Sequence, residues 1–143
     1  MRKLNSKLLY VFCALLFFSA FTSGKKDIIT IFMIGDSTMA NKSLKNGNIE
    51  RGWGQMLPEF LIGDVRVDNH AMNGRSSQSF IDEGRWDVVL SKLKSGDHVF
   101  IQFGHNDEKS AEELHTIPGS TFDENLRRFV RETRAKGAYP VLF

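Results

Sequence analysis

Ser37 is the residue around which chemistry can be built. It sits in Gly35-Asp36-Ser37-Thr38, directly after the apolar, β-branched run Ile28-Ile29-Thr30-Ile31-Phe32-Met33-Ile34. Two further clusters share its character: Asn73-Gly74 and Gly104-His105-Asn106-Asp107, each a little beyond another apolar stretch. A serine hydroxyl can attack a carbonyl carbon, and the oxyanion that develops needs donors already in place. Glycine lets backbone N–H groups approach closely, and the Asn106 amide offers a side-chain donor. The set suits acyl transfer. Taken alone, Asp36-Ser37-Thr38 has a plainer alternative, as residues that cap the next helix or turn.

Such residues act together only if the chain brings them to one edge. The run before Gly35 suits a strand buried on both faces of a parallel sheet. Val65-Arg66-Val67-Asp68-Asn69-His70 alternates and reads as a second strand. Val99-Phe100-Ile101-Gln102-Phe103 reads as a third, and Tyr139-Pro140-Val141-Leu142-Phe143 opens a fourth. Between them, Trp53, Met56, Leu57, Phe60 and Leu61 recur at helical spacing, with Pro58 early in that helix or kinking it. A turn at residues 71–77 feeds a helix through Phe80 and Ile81. Trp86, Val89, Leu90 and Leu93 form another apolar stripe, with Gly96 expected at its C-cap. Thr121-Phe122-Asp123-Glu124 has the pattern of a capping box, and the helix it opens runs through Leu126, Phe129, Val130 and Thr133 to Gly137. This alternation predicts an α/β fold with a parallel sheet. In such sheets ligands bind at the carboxyl ends of strands, where all three clusters fall.

The first 24 of the 143 residues have a different anatomy. A basic lead carrying Arg2, Lys3 and Lys7 precedes an apolar core at residues 8–18, and small and polar residues follow. This is the pattern of a secretory signal peptide, too short to span a bilayer comfortably. Residues 1–24 are therefore expected to leave, and residues 25–143 to form one domain. The chain's one cysteine, Cys13, would leave with the signal, which excludes disulfide and thiol chemistry from the remainder. Without the signal, 16 basic residues face 17 acidic ones, so the formal +2 becomes −1. No nucleic-acid or anionic-membrane partner follows from that balance. Arg127, Arg128, Arg131, Arg134 and Lys136 crowd one helix together with Glu124 and Glu132 and are opposed by Leu126, Phe129 and Val130, the pattern of a solvated helix face and not of a nucleic-acid site. The histidines show no metal-ligand spacing, no glycine-rich phosphate loop occurs, and there is no Gly-x-Ser-x-Gly elbow. No metal and no cofactor are expected.

In order and spacing, Gly35-Asp36-Ser37, Gly74 and Gly104-His105-Asn106-Asp107 resemble the blocks of the SGNH (GDSL-type) hydrolases. Within that superfamily the chain is most similar to the rhamnogalacturonan acetylesterases, on Gly52-Trp53-Gly54-Gln55, Asn73-Gly74-Arg75-Ser76-Ser77, Glu83-Gly84-Arg85-Trp86 and Gln102-Phe103-Gly104-His105-Asn106-Asp107. The resemblance implies a doubly wound, flavodoxin-like sheet whose last strand and helix would lie beyond residue 143. It implies that Ser37 is the nucleophile, and that its own N–H, the Gly74 N–H and the Asn106 side chain form the oxyanion hole. It also implies an Asp-x-x-His block supplying the general base and its partner; no such spacing occurs in residues 1–143. His70 is expected to pack or hydrogen-bond locally and His105 to serve a structural or substrate-side role, so neither is the base. The implied protein is a monomeric serine esterase, secreted or periplasmic, that deacetylates a pectic polysaccharide (rhamnogalacturonan). Other acyl esters as substrates, or a truncated remnant that binds carbohydrate without turnover, are the alternatives. The 143 residues alone are expected to be a poor esterase, because Ser37 lacks an assigned base.

Overall fold

The computed structural model describes residues 28–143; the segment 1–24 read as a signal peptide lies outside them. Four strands form one parallel sheet in the order β2-β1-β3-β4. They are β1 (Ile29–Gly35), β2 (Val65–Asn69), β3 (His98–Gln102) and β4 (Tyr139–Leu142). Strand β1 is interior because its side chains can be buried on both faces, and all but its first residue are. Its alternate residues feed two cores, as the period of two requires. Phe32 and Ile34 pack with Phe80, Trp86, Val99, Ile101 and Phe129 on one face. Ile31 and Met33 pack with Met39, Ala71, Trp53, Leu57 and Phe100 on the other.

Helices cover both faces. On the second face lies the short α1 (Trp53–Met56), which passes into a 3-10 turn at Leu57–Phe60. The sequence spacing suggested one helix here; Pro58 at the start of the 3-10 turn divides it, and Phe60 is left exposed. On the first face lie α2 (Ser77–Asp82), α3 (Arg85–Lys92) and α4 (Thr121–Ala135). Trp86 and Phe129 meet edge-to-face with centroids 5.1 Å apart, and the Trp86 Nε1–H donates to Glu132 Oε2 at 2.6 Å. The solvated face expected of α4 is present: Arg128 pairs with Glu132 at 3.1 Å and Arg127 with Asp123 at 3.7 Å, one turn apart.

Two helix ends differ from expectation. The capping box expected at Thr121 does not form, because Thr121 Oγ1 accepts from Ile117 N and Asp123 Oδ1 from Gly119 N. Both side chains brace the preceding loop, and Ser120 is the N-cap, with no side-chain cap bond. A reciprocal capping box forms instead at Ser76 and Ser79, at the start of α2. Gly96 does not cap α3, whose C-cap is Leu93; it lies in the following turn, where its N–H donates to Gly137 O at 3.0 Å. Gly137 does end α4, in a Schellman arrangement with Gly137 N on Arg134 O and Ala138 N on Thr133 O.

Strand order decides where a site can lie. From β1 the chain crosses to β2 on one side, then back over to β3 on the other. The carboxyl ends of β1 and β3 therefore flank the point where the connections diverge, which is where an open α/β sheet leaves a crevice.

Candidate active site

The backbone turns sharply after β1. Asp36 is buried, and its Oδ1 accepts from Thr38 N at 2.9 Å and from the Thr38 hydroxyl at 2.7 Å. Ala40 N closes the turn on Asp36 O at 3.0 Å, and Trp53 N donates to Thr38 O at 2.9 Å. Ser37 thus sits half-buried on a turn held from both sides. Among the described residues nothing hydrogen-bonds its N–H or its hydroxyl. Asp36 and Thr38 do brace a turn, as the plainer reading of this tripeptide had it, but Ser37 takes no part in that bracing.

The second turn is tied to the first. Met72 N donates to Gly35 O at 2.9 Å, and Arg75 N returns to Met72 O at 3.3 Å. Gly74 lies inside this turn with φ +75°, a left-handed conformation that favours glycine. A Cβ there would meet nothing within 4 Å, so conformation rather than space demands the glycine. Its N–H has no acceptor among the described residues. Arg75 braces the turn through Nη1 to Asn73 O at 3.1 Å and Nε to Glu83 Oε1 at 3.0 Å. The hydrogen bond from Arg85 holds the Glu83 carboxyl below its usual range; burial opposes this and Arg75 adds to it. The Glu83-Gly84-Arg85-Trp86 segment therefore contributes both a brace for the Gly74 turn and the core residue Trp86.

Asn106, after β3, is buried, and its Nδ2 donates to Arg75 O at 3.1 Å. That bond joins the third loop to the Gly74 turn and uses one of two Nδ2 hydrogens. Close approach matters here too: a Cβ on Gly35 would stand 2.6 Å from Gln102 O, so glycine lets the ends of β1 and β3 pair. A cavity of about 370 Å³ opens beside this turn, lined by Gly74, Arg75, Asp82, Glu83 and Glu113 among others.

Sequence reading gave Asp107 no role of its own, yet it organises the site. Its buried carboxylate accepts from Ser77 N at 3.0 Å, the Ser77 hydroxyl at 2.5 Å, Thr116 Oγ1 at 3.1 Å and Gly104 N at 3.1 Å. It thereby joins the Asn106 loop to the first turn of α2. No signal in the sequence marks this role, because its Ser77 partner lies 30 residues away along the chain.

No histidine among the described residues is hydrogen-bonded to Ser37. His70 Nε2 stands 3.2 Å from Asp68 Oδ1 and 3.3 Å from Lys92 Nζ, the local bonding expected of it. His105 is exposed, with Nδ1 3.6 Å from Glu108 Oε1. His115 Nδ1 lies 3.1 Å from Lys109 O. His98 opens β3 instead of preceding it, at the opposite edge of the sheet, with its ring against Tyr139. Burial pushes the Asp68 carboxyl up, but the charges and hydrogen bonds of His70 and Lys92 outweigh it and hold the carboxyl below its ordinary 3.8. A carboxyl so lowered stabilises the fold above its unfolded value, and that contribution is lost as pH falls through the folded value. Asp68→Asn should therefore cost up to about 1 kcal/mol near neutral pH, since the Asp68 side chain is 31% exposed. The difference between variant and wild type should shrink as pH falls below the ordinary carboxylate range and vanish once the folded carboxyl is protonated, followed by urea denaturation across pH. A penalty that persists there would remove the ionic account.

Comparison with known proteins bears on this arrangement. The chain is 37% identical over 113 residues to the probable rhamnogalacturonan acetylesterase YesY of Bacillus subtilis, covering 78% of this chain and 51% of that protein. It is 40% identical over 116 residues to the rhamnogalacturonan acetylesterase RhgT of the same organism, covering 81% and 48%. The chain thus spans about half the length of the curated relatives it matches. The crystal structure of the Bacillus subtilis protein YxiM superposes with a TM-score of 0.72 at 32% identity, covering 81% of this chain and 32% of that one. The esterase EstA of Pseudoalteromonas, in a structure inhibited by monoethylphosphonate, superposes at 0.61 with 25% identity, covering 81% and 58%. Residues 33–143 match the model of the GDSL-like lipase/acylhydrolase family, and with the parallel sheet and the three joined strand-end loops in place, the chain belongs to that family.

Proposed function

We propose that the whole protein is a secreted serine esterase that removes acetyl groups from rhamnogalacturonan through an acyl-enzyme. The observation that carries the chemistry is the set of donors at the crevice. Ser37 N–H and Gly74 N–H are unengaged among the described residues, and Asn106 Nδ2 retains one hydrogen on a buried, braced amide. Preorganised donors of this kind stabilise charge only where it develops, which is how they accelerate acyl transfer. In the proposed reaction Ser37 Oγ bonds to the acetyl carbonyl carbon and gives its proton to the general base. The base is the histidine of the Asp-x-x-His block that the family resemblance calls for. The carbonyl oxygen, now an oxyanion, takes the three donors. Collapse breaks the bond to the sugar oxygen, which leaves with the proton; water then hydrolyses the acetyl-serine to acetate. Two relatives named rhamnogalacturonan acetylesterases support the substrate. The basic and apolar anatomy of residues 1–24 supports secretion.

The test is acetate release by the whole protein from acetylated rhamnogalacturonan, set against p-nitrophenyl esters of increasing chain length. Preference for the polysaccharide and for acetyl is expected; a rate that rises with chain length would make it a lipase-like enzyme, and no turnover a binding remnant. Asn106→Ala should lower kcat by about 10²–10³ with KM little changed, the signature of a donor used in the transition state. A change in KM alone would reduce Asn106 to ground-state binding. Sequencing the N-terminus of the exported protein tests secretion, with a start shortly after residue 22 or 24 expected.

A further inference from the structure

Lys109 follows Asn106 by three residues. Its backbone closes the turn after Asn106, with Lys109 N 3.3 Å from Asn106 O. Its side chain then folds back, placing Nζ 2.6 Å from Asn106 Oδ1. An ammonium carries donors and no lone pair, so only the oxygen end of an amide can face it. The other end, Nδ2, faces the Arg75 carbonyl at 3.1 Å, which accepts and cannot donate. The two contacts set the same orientation from opposite ends. Turned over, the amide would present its N–H₂ to a cation and its oxygen to a carbonyl, losing both bonds.

Charge adds a second effect. A cation on a carbonyl oxygen draws electron density through the conjugated amide, and hydrogen bonds in such chains strengthen one another. The Nδ2–H not taken by Arg75 O becomes a stronger donor for the oxyanion of the proposed reaction. Lys109 itself is exposed, so replacing it opens no cavity in the core.

We propose that Lys109 is a positioning residue for acyl transfer: its ammonium orients and polarises the Asn106 amide that receives the oxyanion. This rests on the reading of Asn106 as an oxyanion donor. The test compares Lys109→Met, Lys109→Arg, Asn106→Ala and the Lys109→Met/Asn106→Ala pair in the whole protein, by kcat and KM on an acetyl ester. The side-chain ¹⁵N–¹H signals of Asn106 are recorded in parallel. Lys109→Met should lower kcat about tenfold, a fraction of the loss that follows removal of an oxyanion donor, with KM nearly unchanged. Lys109→Arg should restore most of the rate, Lys109→Met should add nothing once Asn106 is alanine, and the Asn106 amide signals should shift in Lys109→Met.

Wild-type kcat in Lys109→Met beside a crippled Asn106→Ala would overturn the proposal while leaving the oxyanion reading intact. So would unmoved Asn106 signals, or a loss that arginine does not rescue, which would mark Lys109 as loop support. Should Asn106→Ala keep full activity, the oxyanion reading is the one that fails and the kinetic role of Lys109 falls with it. The amide signals then still report whether Lys109 orients Asn106.

Discussion

Ser37→Ala in the whole protein should abolish covalent capture by a serine-reactive phosphonate and lower acetate release by a factor on the order of 10⁶. The size of the effect follows from the turn that carries the residue. Ser37 is half-buried at the carboxyl end of the central strand, and no described residue ties up its hydroxyl. Its neighbour cannot substitute for it, because the Thr38 hydroxyl lies 2.7 Å from Asp36 Oδ1 and holds the turn together. Ser76, Ser77 and Ser79 are buried in the capping box and the Asp107 network. Phosphonate chemistry already has a counterpart in this fold, since the EstA structure is one inhibited by monoethylphosphonate. Mass spectrometry of intact protein after labelling decides the matter. A Ser37→Ala protein that still takes up one label per chain at the wild-type rate would place the nucleophile elsewhere.

Asp107→Ala should cost stability first and activity through it. Its carboxylate satisfies buried donors from Ser77 and Thr116 and the half-buried Gly104 N–H, which belong to three different segments. Each buried donor left without an acceptor costs about 1–3 kcal/mol, so the expected loss is on the order of 3–5 kcal/mol. That is a large share of the 5–15 kcal/mol typical of a domain. Guanidinium denaturation measures it directly. A loss below about 1 kcal/mol would mean that water replaces the carboxylate at little cost. Asn106→Ala, by contrast, leaves the Asp107 network intact and breaks the bond to Arg75 O, so it should cost less stability, about 1–2 kcal/mol, with a defect that is mainly kinetic. Together the two variants separate the residue that holds the loop from the residue proposed to touch the reacting oxygen.

Much of this arrangement could be read along the chain because local chemistry dictates it. The uninterrupted run before Gly35 has no polar side to turn to solvent, so it has to be an interior strand, and β1 is one. Apolar positions in Trp86–Leu93 and Leu126–Thr133 recur at helical spacing and do face the core as Trp86, Val89, Phe129 and Thr133. The blocks around Ser37, Gly74 and Asn106 were recognisable because glycine, serine and asparagine at strand ends answer to turn geometry and donor chemistry, both short-range demands. Helix ends were less legible. Thr121 and Glu124 have the right spacing for a capping box, yet the loop at residues 117–119 takes the Thr121 hydroxyl, and the Asp123 carboxylate beside it, as acceptors. Pro58 broke a stripe whose spacing alone looked continuous.

Periodicity could say that strands alternate with helices and which face each buries, because those patterns follow from backbone repeat and side-chain hydrophobicity. It could not say that β1 lies between β2 and β3, since a strand's neighbours are chosen by the path of the crossovers and by packing on both faces. That choice is what places Ser37 beside the Asn106 loop at the divergence of the connections. The bonds that join the loops were equally invisible. Asn106 to Arg75 spans 31 residues and Ser77 to Asp107 spans 30, distances over which sequence spacing carries no geometric information. Lys109 is only three residues from Asn106, but any exposed lysine reads as solvent-facing until the fold buries the amide beneath it. The residue types and their local turns were therefore written in the chain. Their convergence, and the orientation of the Asn106 amide, arose only when long-range packing closed the loops and left each buried polar group to find its partner.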